Sequence, residues 1–431
     1  MTSSPAPAQS SGSPLPAASH ERGAVEEPLT SFPTGEASGT AWLPDPTPME
    51  GVMRHWGTWD AMIDGNVFVQ YLYEPTDRHR TGGASRHQFS SANWGMVMAR
   101  RRAGAGRLGL RAMLSAEPWT VADCGFLNLL ATGEACEGDT IHDRQHPHDL
   151  FMELAADYER PIGRSLRWQL YGGLSGEPAL GPVAFPHRPS AGPNPMAPIT
   201  HHWLDSTHVT FGLATTGVSS DRWKAEMSVF NGREPDAARA ELDLAPLDSV
   251  SGRVWFLPTD HLALQVSSGY LHDAEGAIGA EPSTSVTRTT ASATYHRLVR
   301  GFDVWATTLA YGVNSGPEIV AGDRHETTTH AGLAESALTL NDRHTFFGRL
   351  EVVGKPAESL HAHEYTTRVF TVGKVEAGYV RSLRPWGHLV PAIGVIGSIN
   401  VVPPELAPRY GSQVVPGVGV YLALRPPRHI M

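Results

Sequence analysis

Three stretches of this sequence gather imidazole beside carboxylate, the donor set of Zn, Ni and Cu(II). The first is His142-Asp143-Arg144-Gln145-His146-Pro147-His148-Asp149. The second is His201-His202-Trp203-Leu204-Asp205-Ser206-Thr207-His208, with His187 ahead of it. The third is His361-Ala362-His363-Glu364. Residues two apart on an extended strand share a face, so His146 and His148 could converge on one ion. The candidate metal ligands are His142, His146, His148, Asp149, His187, His201, His202, Asp205 and His208. A divalent metal or a copper ion is the cofactor such a set would take. The competing reading is a network of His, Asp and Arg that folds loops over a pore. Met49, Met53 and His55 are soft ligands for Cu(I) or ordinary packing residues.

A nucleophile reading uses Ser206 with His208 and Asp205. Ser206 and His208 merely share a face, whereas a nucleophile needs a base within hydrogen-bond reach and an oxyanion site. No catalytic residue is assigned, and the chain is read as not an enzyme, with an acyl hydrolase as the weaker alternative. Cys124 and Cys136 are the only cysteines. Their spacing suits a disulfide closing a short loop in an oxidising compartment, or they are two unrelated thiols. Gly176-Glu-Pro-Ala-Leu-Gly-Pro182 and Gly232-Arg-Glu-Pro-Asp236 are punctuated as turns leaving strands. They either constrict a pore or simply reverse the chain.

The elements that must position these groups are strands. Period-2 alternation marks sixteen segments: 59–74, 88–102, 106–116, 148–160, 164–175, 205–218, 221–232, 248–257, 261–272, 286–299, 301–313, 329–340, 343–354, 367–382, 387–400 and 415–425. Most exceed the ~5–6 residues of soluble strands and approach what a tilted strand needs to cross a bilayer. In 221–230, Trp223, Ala225, Met227 and Val229 alternate with Lys224, Glu226 and Ser228. The other face carries mid-strand charges: Arg111, Glu153, Asp157, Lys224, Glu226, Arg253, Arg349, Glu351, Lys374 and Glu376. Charges cannot face hydrocarbon cheaply, so these are expected to face a lumen.

Two patterns favour a membrane barrel over a soluble sandwich. Connections after even-numbered segments are short, and those after odd-numbered segments are mostly long, including 117–147, 176–204 and 314–328. Short periplasmic turns and long outer loops are the outer-membrane arrangement. Aromatics recur beside the short turns on the apolar face: Tyr158, Trp168, Trp223, Phe256, Tyr295, Phe302, Phe346 and Tyr379. That is an interfacial girdle. The histidine stretches all fall at the long-loop rim.

Composition agrees. The 431 residues are 41% hydrophobic and 18% charged, with net charge −10, which gives no basis for nucleic-acid binding. No apolar run reaches the roughly 18 residues of a membrane helix. Residues 1–57 read as a disordered or extended segment, rich in Ser, Pro, Ala and Gly, and 58–426 as the barrel. No export signal is visible.

The stretches Asp143–Asp149, Ile199–His208, Gly232–Asp236 and Asp342–Arg349 resemble a largely uncharacterised family of bacterial outer-membrane β-barrel proteins. The resemblance runs from about residue 40 to 425. It implies a porin-like barrel in a Gram-negative outer membrane and a link to metal, in particular copper, handling. The expected fold is all-β: a single antiparallel transmembrane barrel of about sixteen strands. The expected function is a channel for a polar solute or ion, the alternative being a non-conducting, metal-binding surface barrel. The expected partners are outer-membrane lipid, the barrel-assembly machinery and a small polar solute or metal ion.

Overall fold

The computed structural model describes residues 35–75, 86–122, 124–136, 139–275, 283–301, 303–320 and 323–429. The expectation for residues 1–34, and Phe302 of the girdle, lie outside them. Sixteen long strands form one closed antiparallel barrel. They are β1 (Trp59–Tyr73), β2 (His87–Ala103), β3 (Gly106–Leu114), β4 (Phe151–Ile162), β5 (Leu166–Gly176), β6 (Thr210–Ser219), β7 (Trp223–Phe230) and β8 (Ser249–Thr259). Then follow β9 (Leu262–Glu275), β10 (Thr284–Arg300), β11 (Asp303–Val320), β12 (Asp323–Leu340), β13 (His344–Pro356), β14 (Val369–Ser382), β15 (Val390–Val401) and β16 (Val414–Arg425). Each pairs with its neighbour in sequence, and β16 closes on β1 from Val418↔Tyr73 to Leu424↔Val67. The short strand Val52–Trp56 turns back onto the start of β1. Met49–Glu50 pairs with Arg428–His429, so the segments flanking the barrel strands meet at the short-turn rim.

Alternation is the reason these segments are strands. In β7 every second residue is buried: Lys224, Glu226, Ser228 and Phe230 face inward, while Trp223, Met227 and Val229 face out. A one-residue slip would turn all of them over, so burial fixes the register. The outer surface is a continuous apolar belt, with Val266, Leu309, Leu350, Val420 and Leu422 about half exposed or more. Trp223, Phe256, Trp305 and Phe346 stand at its short-turn edge. Tyr71, Phe89, Tyr270 and Tyr311 form a second girdle at the long-loop edge.

Three features depart from the sequence reading. The stretch 314–328 is not a long loop, because β11 and β12 stay paired out to Val320↔Asp323. Asn314-Ser-Gly-Pro317 looks like a turn, but the facing Thr327-Thr328-Thr329 is a strong strand former and holds the ladder. The connection 115–150 contains its own hairpin, Phe126–Cys136 with Asp139–Gln145; the Cys124–Cys136 disulfide beside it is one of the two readings the spacing left open. Finally, the inner face is not uniformly polar. Phe68, Leu72, Phe347, Val380, Ala392, Ile396 and Tyr421 point inward and pack on Phe126, Leu127 and Met196.

Candidate functional site: the filled lumen

The charges expected to face the lumen do so, but not toward open water. Arg111, Glu153, Lys224, Glu226, Arg253, Arg349, Glu351, Lys374 and Glu376 are all buried, and only Asp157 is part-exposed. They form chains of opposite charge: Lys224–Glu226 (3.2 Å), Arg253–Glu226 (3.1 Å), Arg349–Glu376 (3.2 Å), Lys374–Glu376 (3.6 Å) and Arg111–Asp157 (3.2 Å). The Tyr171 hydroxyl donates to Glu153 at 2.7 Å. Three pieces of chain cover these groups.

The first is the N-terminal segment 35–47, which lies in the short-turn half of the lumen. Glu36 pairs with Arg100, and with Arg107 at 3.0 Å. Arg111 donates to the Gly39 carbonyl at 2.7 Å. Thr40 donates to Glu226 at 2.8 Å, and its carbonyl accepts from Lys224. Trp42 lies under the Lys224 ammonium at 4.7 Å. Ala41 and Leu43 pack with Trp255 and Leu257. Thr47 bonds His296 at 2.7 Å, and the Asp45 amide donates to the Asp260 carbonyl in the β8–β9 turn at 2.9 Å. Burial pushes the Glu36 carboxyl up, but the three arginines outweigh it and hold it down at about 2.

The second piece is the connection 177–209 between β5 and β6, which folds inward. Its start hugs the wall: Glu177 pairs with Arg253 at 3.2 Å, and the Ala179 and Gly181 amides donate to Ser228 and Ser267. Gly181 has φ +87°, and a Cβ there would sit 2.1 Å from the Leu204 carbonyl, so glycine is required. Arg188 spans the lumen between Asp205 and Glu335, at 2.7 Å from each. Asn194 donates to Glu376 and Thr200 to Glu351, both at 2.8 Å. The third piece is the 126–145 hairpin, where Asn128 accepts from Lys374 at 2.5 Å and Thr132 from Lys355 at 2.6 Å.

The histidines gather where the second and third pieces meet. Phe185 is ringed by His148, His201 and His208, with ring centres 5.7, 5.3 and 5.6 Å away. His201 lies 5.1 Å from His208 and 5.4 Å from His202, and His146 lies 6.0 Å from His201. Each ring is held through Nδ1. His148 bonds Glu117 (2.9 Å), His201 bonds Asp205 (2.8 Å), His202 bonds Glu234 (3.0 Å) and His208 bonds the Asp205 carbonyl (2.8 Å). Among the described residues, the Nε2 atoms of these four are buried without a partner. Burial lowers His201 to about 4, despite Asp205. Asp149 instead pairs with Arg239 at 3.3 Å, and His187 packs on Trp94. His142 meets His361 at a tilt, ring centres 4.1 Å apart, away from this cluster. Among the described residues, no three His, Cys, Asp or Glu groups stand in a geometry that could hold a metal ion.

No family model and no curated protein matches the chain. Solved structures do. OmpF of Salmonella typhi, in complex with daunomycin, aligns with TM-score 0.51 at 9% identity, over 86% of this chain and 100% of that one. At that identity the match speaks to fold alone. The fold is that of an outer-membrane porin. Two further matches are weaker and carry no argument. The DcaP channel of Acinetobacter baumannii has TM-score 0.48 at 8% identity, covering 88% and 100% of the two chains. The anion-selective porin of Comamonas acidovorans has TM-score 0.46 at 10% identity, covering 85% and 99%.

A closed barrel of this fold, with an apolar belt and two aromatic girdles, is an outer-membrane protein of a Gram-negative bacterium, seated in lipid. Among the described residues, Ser206 has no base within hydrogen-bond reach. Its hydroxyl accepts from Arg288 at 2.8 Å, His208 turns Nδ1 to a carbonyl, and the Asp205 carboxylate is held by Arg188 and His201.

Glu36, Arg188 and Glu335 organise the lumen and were not among the sequence candidates. Glu335 had a signal, as the lone charge of the expected segment 329–340, among mostly small and apolar residues. Arg188 had none, because it sits in a Pro- and Gly-rich loop.

Proposed function

We propose that this chain is a porin-type channel for a small polar solute or ion, kept closed by its own N-terminal segment and by the inward-folded connection 177–209, the third long loop. The observation that carries the reading is the ion pairing of Glu36 with Arg100 and Arg107 inside the barrel. A sixteen-stranded barrel encloses an aqueous channel unless something plugs it. Here the plugs are held by ion pairs and hydrogen bonds, which can exchange for water when a segment leaves. The test is conductance in planar bilayers, comparing the full chain with a variant lacking both plugs.

A second reading is a metal-binding barrel. It is favoured by the four imidazoles anchored through Nδ1 with buried, unpartnered Nε2 atoms. A carboxylate or carbonyl behind a ligating histidine is the usual arrangement that orients it toward a metal. The donor set suits Zn, Ni or Cu(II). An ion there would have to draw the rings closer than they stand in the folded chain. Metal titration of the full chain against a His201→Ala, His202→Ala, His208→Ala variant tests it.

A further inference from the structure

The N-terminal segment fills only one side of the short-turn half of the lumen. It lies against β2, β3 and β7–β10 through Arg100, Arg107, Arg111, Lys224, Trp255 and His296. Beside it remains a cavity of about 190 Å³, bounded by β1–β3 and β11–β16 and roofed by Pro186–Pro193 of the third long loop. Its wall is unlike a polar porin lumen: Met62, Phe68, Trp94, Met96, Ala392 and Ala423 line it.

The cavity's charges are uneven. Four arginines line it, and all are engaged. Arg111 pairs with Asp157, Arg188 with Asp205 and Glu335, and Arg425 and Arg428 with Glu50. Asp64 also lines it, and its side chain makes one hydrogen bond, accepting from the Gly65 amide at 2.6 Å. Among the described residues it has no ion pair. An apolar chamber with thioethers, two aromatic rings and one carboxylate outside any ion pair matches a small organic cation. The carboxylate takes the ammonium, and the rings and sulfurs take an apolar body.

We propose that this cavity is a vestibule for a small amine with an aromatic or aliphatic body, entered from the short-turn side and held by Asp64. The proposal rests on the channel reading and names its substrate class. An anionic ligand is the competing outcome, because the Nη2 of Arg188 is buried at the cavity roof without an acceptor among the described residues.

The experiment is calorimetric titration of the folded full chain in detergent with 2-phenylethylamine, 3-phenylpropanoate and 2-phenylethanol. The amine is expected to bind about tenfold tighter than the alcohol, the worth of one charge-assisted hydrogen bond. Asp64→Asn should remove that preference while leaving the alcohol unchanged. Ala392→Phe, which fills the cavity without touching a charge, should weaken the amine. Heat-modifiable gel mobility establishes that each variant is folded. Tightest binding by the carboxylate, no saturable binding, or an amine affinity indifferent to Ala392→Phe would each overturn the proposal. Conductance separates the two claims: amine binding by a barrel that stays silent when unplugged keeps the vestibule and removes the channel.

Discussion

Glu36 stands 3.0 Å from the Arg107 guanidinium inside the barrel, although 71 positions separate them in the chain. The pair ties a segment outside the strand ladder to the lumen wall. Its pH dependence follows from the depressed Glu36 carboxyl. A group whose folded value is lowered from 4.5 to about 2 stabilises docking fully above 4.5 and loses that contribution as pH falls toward 2. Protease protection of residues 35–47 should therefore hold at about pH 5 and fail well below it. Glu36→Gln should expose the segment already at neutral pH.

Arg188 holds two buried carboxylates in place, Asp205 and Glu335. Burial works to raise the Asp205 carboxyl, but Arg188 and His201 keep it well below its ordinary range. Arg188→Met would take the cation from Asp205 and leave Glu335 paired with Arg349 alone, at 3.1 Å. Breaking a buried pair in this way costs about 3–5 kcal/mol, and here the loss falls on the third loop. Urea unfolding followed by tryptophan fluorescence should show the midpoint shift, and the partial rescue by adding Glu335→Gln that shared partners imply.

The strands were legible because each buries one face and offers the other to lipid, so period 2 survives in the sequence. β7, with Lys224 and Glu226 opposite Trp223 and Met227, is the plain case. β15 is the hard one. Ala392 and Ile396 face inward while Ile393, Val395 and Ile399 face out, so both faces are apolar and the alternation is hidden. That is why the apolar half of the lumen could not be anticipated. The histidine stretches were legible as composition, and the convergence of His148, His201, His202 and His208 is tertiary. The docking of 35–47 was masked by its Ser-, Pro- and Gly-rich surroundings, although Ala41-Trp42-Leu43 is an apolar island within them.

The histidine core supplies a prediction for the metal reading. Titration with Zn, Ni and Cu(II) should show saturable binding to the full chain, weakened at least severalfold in the His201→Ala, His202→Ala, His208→Ala variant. Equal weak binding by the two would assign the cluster to loop packing alone.

The belt predicts a depth-dependent penalty. Val266 is 59% exposed on the outer face, between the Phe256 and Tyr270 girdle levels. Val266→Arg should destabilise the barrel in lipid by about 2–4 kcal/mol if it lies near the midplane. Equilibrium unfolding in liposomes measures this. A neutral effect would place that face in water instead.

Single-channel recording tests the central claim most directly. The full chain is compared with a variant in which residues 35–47 are deleted and 182–197 are replaced by a short Gly-Ser linker, each confirmed as a folded barrel by heat-modifiable mobility. Closure by these two segments predicts a silent or weakly conducting full chain and stable, porin-sized steps from the variant. A folded, doubly unplugged barrel that passes no current would contradict the account.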